Sequence, residues 1–128
     1  MLRAAASLLL LIASSAAAAP EWRRAQDVEL RLSNYEIAPD TIRLRAGEPV
    51  RLRLINNGPT GYSLSAPDFF AAATIRPRDA RAIDGGTVRV RGGETRELLL
   101  VPAAGSYALR SGNFLYRLLG MRSRIVVE

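Results

Sequence analysis

The sequence has 128 residues, a formal net charge of +6, and neither histidine nor cysteine. Those two absences exclude Ser-His and Cys-His catalytic pairs, thiolate chemistry, disulfides and the commonest metal ligand. All eighteen basic residues are arginine; they form no dense block and have no interleaved aromatics, which reads as solvated surface, and no nucleic-acid partner is expected.

Residues 1–18 are expected to be a secretory signal peptide. Met1-Leu2-Arg3 is a short positive start, Ala4 to Ile12 is apolar, and Ala16-Ala17-Ala18 is an A-x-A cleavage site. Pro20 would obstruct a cut immediately before it, which places the cut after Ala18. The apolar run is shorter than the roughly 20 residues a membrane-spanning helix needs, so no transmembrane segment is expected in the mature chain. Cleavage leaves about 110 residues and a charge of about +5, enough for one domain with one core. Residues 19–27 read as a flexible leader and 28–128 as that domain, exported to the periplasm or secreted, and monomeric.

Val28, Leu30 and Leu32 alternate with Glu29 and Arg31, the period-2 pattern of a half-buried strand. Pro39-Asp40 supplies turn chemistry before a second strand at Ile42 and Leu44. Val50, Leu52 and Leu54 against Arg51, Arg53 and Ile55 form the clearest alternation. The turn-rich Asn56-Asn57-Gly58-Pro59 ends it, and Tyr62-Ser63-Leu64 follows as a short strand. Asp68 to Ala73 is the one helix-like stretch, with Asp68 or Ser65 as its expected cap and Phe69 or Phe70 docking it. Ile75 to Gly86 reads as loop. Thr87 to Arg91 and Thr95 to Val101 are strands joined at Gly92-Gly93, and the unbroken Leu98-Leu99-Leu100 suits a strand covered on both sides. Gly105 to Leu109 and Arg124 to Val127 are the last two strands, with a loop from Ser111 to Met121 between them. Seven to eight short strands and one short helix predict an all-β Greek-key sandwich.

Three segments resemble the cupredoxins, the plastocyanin, azurin and rusticyanin superfamily. Ile37 to Val50 (IAPDTIRLRAGEPV) is similar to that family's apolar-x-Pro-x-x-Ile-x-Val-x-x-Gly-x-x-Val pattern. Asn56-Asn57 followed by Tyr62 resembles its paired Asn before a ligand His, and Gly105-Ser106-Tyr107 through Gly120-Met121 to Ile125-Val126-Val127 resembles its C-terminal ligand loop. The resemblance spans about Val28 to Glu128 and predicts a cupredoxin-like sandwich. The Phe69 to Ala73 insert resembles the bacterial periplasmic, iron-uptake-associated (EfeO-type) cupredoxin-like domain.

Carried over residue by residue, the resemblance puts the first ligand His on Tyr62, the Cys on Ser111 or Asn113, the second His on Tyr116 and the axial Met on Met121. A type 1 copper site takes two imidazoles and a thiolate with a long axial Met. Phenols and a hard hydroxyl are poor replacements and good hydrogen-bonding space fillers. The resemblance therefore implies a degenerate site that holds neither type 1 copper nor any other cofactor, with Tyr62 and Tyr116 plugging the cavity, packed against Phe114 and Leu118, their hydroxyls reaching Ser111, Asn113 or solvent. Such a chain is not expected to be an enzyme. Pro59, Tyr62, Phe114, Leu115, Leu118, Leu119 and Met121, rimmed by Arg110, Arg117 and Arg122, are candidates for a surface that docks on an unidentified periplasmic or membrane protein. The alternative is a periplasmic metal-binding or electron-transfer protein using a non-standard Tyr/Met site.

Overall fold

A computed structural model describes residues 19–128, so the expected signal peptide lies outside the described residues. Trp22–Arg24 forms one turn of 3₁₀ helix. In chain order there follow β1 (Gln26–Ser33), β2 (Glu36–Ala38), β3 (Thr41–Leu44), β4 (Val50–Asn56), β5 (Tyr62–Ser65), α1 (Pro67–Ala72), β6 (Thr74–Ile75), α2 (Pro77–Ala80), β7 (Ile83–Asp84), β8 (Thr87–Val90), β9 (Thr95–Val101), β10 (Gly105–Ser111), α3 (Phe114–Leu118) and β11 (Arg122–Val127).

The strands form two sheets, ordered β2-β1-β4-β9-β6 and β3-β11-β10-β5-β8-β7, a Greek-key sandwich. Each sheet combines antiparallel ladders with one parallel pair, β1 with β4 and β3 with β11. Alternation decides which residues meet between the sheets. In β4, Val50, Leu52, Leu54 and Asn56 are buried, while Arg51, Arg53 and Ile55 are partly exposed. Leu30 and Leu32 of β1, Leu98 and Leu100 of β9, Val88 and Val90 of β8, and Ile125 and Val127 of β11 join them in one core. Leu99 points the other way and is also buried, because α2 packs on the outer side of β9. Asp79 accepts the Leu99 amide at 2.9 Å and is itself gripped by Arg76 at 2.8 Å.

Among the described residues, eleven strands replace the expected seven or eight, and three short α-helices replace one. The added strands are short: β2 inside the expected 33–40 break, and the two-residue β6 and β7 inside the expected loop from Ile75 to Gly86. Stretches of two or three residues carry too few alternations to be read as strands, and the pairing partner makes them so. Strand β1 begins at Gln26, two residues before the expected domain boundary, because Gln26 and Asp27 pair with Val50 and Arg51. Neither Asp68 nor Ser65 caps α1. Its N-cap is Ala66, with no side-chain cap, and Pro67 opens the first turn, where its missing N–H costs nothing. Both Phe69 and Phe70 are buried.

Candidate functional site

The C-terminal ligand-type loop is closed at its base by backbone. Met121 O accepts the Ser111 amide at 3.0 Å, and the Met121 amide returns to Tyr116 O at 3.0 Å. Ser111 and Met121 are both fully buried. Asn113, by contrast, is exposed and serves as the N-cap of α3. Its Oδ1 accepts the amides of Leu115 at 2.9 Å and Tyr116 at 3.3 Å. Gly120, at φ 96°, is the left-handed residue that ends this helix. Ser111 Oγ accepts the Asn113 amide at 3.1 Å and fixes the entry to the cap.

Three of the four tyrosines meet beside this loop. Tyr62, 5% exposed, lies edge-on to Tyr116 with ring centroids 5.8 Å apart. Tyr35 completes the group, 4.8 Å from Tyr116 and 6.3 Å from Tyr62. Pairs at such separations and tilts are each worth about 0.5–1.5 kcal/mol beyond their buried area. Tyr35 was not among the residues the sequence pointed to. It sits with Asn34 in the two-residue turn between β1 and β2, both at positive φ (49° and 61°), the type I′ geometry that suits a right-twisted hairpin. Asn is common at such a position, whereas a bulky aromatic there is a genuine outlier.

The hydrogen-bonding pattern departs from the expected one. The Tyr62 hydroxyl accepts the Tyr35 backbone amide at 3.3 Å rather than reaching Ser111 or Asn113. The tyrosine rings pack on one another rather than on Phe114 and Leu118, which point outward at 64% and 68% exposure. Behind Tyr62, Asn56 is fully buried and ties down the preceding loop. Its Nδ2 donates to Thr60 O at 2.8 Å and Val90 O at 3.3 Å, and its Oδ1 accepts the Gly58 amide at 3.2 Å.

Helix α3 is amphipathic in the reverse of the usual sense. Tyr116 faces the core and is half-buried, while Phe114, Leu115, Leu118 and Leu119 share the opposite arc and are 64–68% exposed. A surface helix ordinarily turns its apolar stripe inward. Of the expected docking residues, Pro59, Arg110 and Arg122 are also exposed and Arg117 is partly so. Tyr62 and Met121 are core residues and cannot belong to that surface.

The side chains at the positions expected to match the ligands are phenols (Tyr62, Tyr116), a hydroxyl (Ser111) and a thioether (Met121). With no imidazole and no thiolate anywhere in the chain, they do not fit type 1 copper. Among the described residues there is also no group of three or more Asp or Glu side chains placed to hold a metal ion, and no helix long and apolar enough to cross a membrane.

No protein-family model matches the sequence, and no curated protein matches it. Solved structures do. Auracyanin B superposes with a TM-score of 0.59 at 19% identity, covering 88% of this chain and 93% of that one. Auracyanin A, described as a blue copper protein of the green thermophilic photosynthetic bacterium Chloroflexus aurantiacus, gives 0.56 at 18% identity, with 80% and 98% covered. Dithionite-reduced auracyanin from Roseiflexus castenholzii gives 0.59 at 15%, with 81% and 98% covered. At these identities the likeness is one of fold, and the fold is that of the cupredoxins.

Proposed function

We propose that this chain is an exported, metal-free cupredoxin-like module that docks on a periplasmic or membrane protein, and that it is neither an enzyme nor a copper carrier. The observation that carries the reading is the inverted helix α3 which, with its C-cap Leu119, presents four large apolar side chains to solvent from the loop that in cupredoxins holds the metal. A cluster of that kind on a stable sandwich suits partner binding, since a folding domain gains nothing by exposing it. In this reading Ser111 stands at the former Cys position, because it is buried at the end of β10 while Asn113 is exposed and committed to capping. Tyr62 and Tyr116 fill the space of the two imidazoles, and Met121 is kept for packing. Export rests on the expected signal peptide, and the iron-uptake-associated branch on the Phe69 to Ala73 insert, which docks both phenylalanines into the core. The alternative Tyr/Met metal site is disfavoured because the Tyr62 oxygen already accepts the Tyr35 amide and no carboxylate cluster stands by among the described residues.

Crosslinked pull-down from periplasm and solubilised membranes tests the docking. Leu115→Asp and Leu118→Asp should each reduce recovery of the wild-type partner about tenfold, the loss of one well-packed anchor. Unchanged recovery with both variants would overturn the reading.

A further inference from the structure

The arginines of this protein are not all treated alike. On the outer face of the β1-β4-β9 sheet they are matched across strands. Asp27 accepts from Arg51 at 2.9 Å, Glu29 lies 3.3 Å from Arg31 and 3.6 Å from Arg53, and Arg53 Nε stands 3.2 Å from Glu97, an ion pair without hydrogen-bond geometry. On the outer face of β10 and β11 that matching stops. Arg110 and Arg122 sit directly opposite one another in the antiparallel register, where Cβ atoms lie about 5 Å apart and like charges destabilise. Arg117 approaches from α3, its guanidinium 5.8 Å from the Phe114 ring and its Nε buried without a hydrogen-bond partner. None of these three has a carboxylate within 4 Å among the described residues.

Between them lies an open cleft of about 350 Å³, its apolar lining supplied by Phe114 and Leu118 of α3 and by Ala108 and Leu109 of β10. That volume sits at the low end of small-ligand sites, which combine an apolar wall with a few placed polar groups. Here the polar groups are three arginines, whose forked donors match carboxylate and phosphate. An anion shared by Arg110 and Arg122 would convert their repulsion into two charge-assisted hydrogen bonds.

We propose that this cleft binds an amphipathic anion. A carboxylate or phosphate head sits between Arg110 and Arg122, and its apolar chain lies under Phe114 and Leu118. The cleft shares Phe114 and Leu118 with the proposed docking surface, whereas Leu115 and Leu119 do not line it, so Leu115→Asp tests docking without altering the cleft. A free acyl anion and an anionic lipid in a bilayer share this chemistry, and the experiment separates them.

Sodium decanoate, decanol and decyltrimethylammonium are titrated at neutral pH into isotope-labelled protein, followed by amide NMR. Decanoate should give saturable shifts confined to β10, α3 and the start of β11. Decanol should bind about tenfold more weakly and the cation not at all. The double substitution Arg110→Gln with Arg122→Gln should weaken decanoate about tenfold and leave decanol unchanged. Equal affinity for decanoate and decanol, no saturable decanoate binding, or an unchanged affinity in the double variant would overturn the proposal. So would co-sedimentation with phosphatidylglycerol vesicles in the absence of decanoate binding, which would assign the arginines to a bilayer surface.

Discussion

Tyr35 packs against Tyr116 with ring centroids 4.8 Å apart, and it does so from a left-handed backbone conformation at φ 61°. An L-residue other than asparagine or aspartate holds that conformation at a cost of about 1–2 kcal/mol. The cost is offset by the ring contacts and by the hydrogen bond that the Tyr35 amide donates to the Tyr62 hydroxyl at 3.3 Å. Two substitutions separate the terms. Tyr35→Ala loses the ring and keeps the strain, whereas Tyr35→Gly loses the ring and relieves it. Urea denaturation should find the glycine variant the more stable of the two by about 1 kcal/mol. Equal stabilities would mean that position 35 is not left-handed.

Asn56 is the buried polar residue on which the loop before Tyr62 depends. Asn56→Ala removes two donor bonds and one acceptor, leaving the Val90 and Thr60 carbonyls and the Gly58 amide short of partners. A loss of about 2–4 kcal/mol is expected in the same denaturation assay. A change under about 0.5 kcal/mol, the range of ordinary surface substitutions, would show that the side chain is not buried as described.

Asn113 caps a helix of only five residues, so its effect should be local. Asn113→Ala should strip hydrogen-exchange protection from the amides of Leu115 and Tyr116 while lowering global stability by about 1 kcal/mol or less. If those two amides keep their protection, α3 is held by something other than its cap.

Much of this structure was legible in the sequence and some of it was not, for identifiable reasons. The alternation in β4 and the Gly92-Gly93 hairpin gave strands β4, β8 and β9 almost to the residue, since period and turn chemistry are local properties. Helix α3 went unread although its punctuation was present: Asn113 before the first turn and Gly120 after the last. Its apolar residues face outward, so they offered no core-facing stripe to recognise. Strand β2 was hidden by a type I′ turn built from Asn34-Tyr35 in place of the usual Asn-Gly. The part played by Tyr35 had no sequence signal at all. It depends on Tyr62 and Tyr116, which are distant in sequence and reach it only through the pairing of β1 with β2 and the packing of the ligand-type loop.

The cupredoxin frame also predicts a gain of function. Tyr62→His, Ser111→Cys and Tyr116→His together would introduce two imidazoles and a thiolate near Met121, at positions linked by the 5.8 Å ring contact and the 3.0 Å Ser111–Met121 backbone bond. The triple variant should bind one copper ion and absorb intensely in the visible. A folded triple variant that ignores copper, alongside one with Asn113→Cys in place of Ser111→Cys that takes it up, would move the former Cys position to Asn113.

Equilibrium titration of the unmodified protein with copper(II), followed by gel filtration and metal analysis, most directly tests the proposal that the tyrosine cluster stands where a cupredoxin would bind copper. The expected result is no stoichiometric copper and no intense blue band. One copper per chain, retained through a chelator wash and lost on Tyr62→Phe or Met121→Leu, would contradict it.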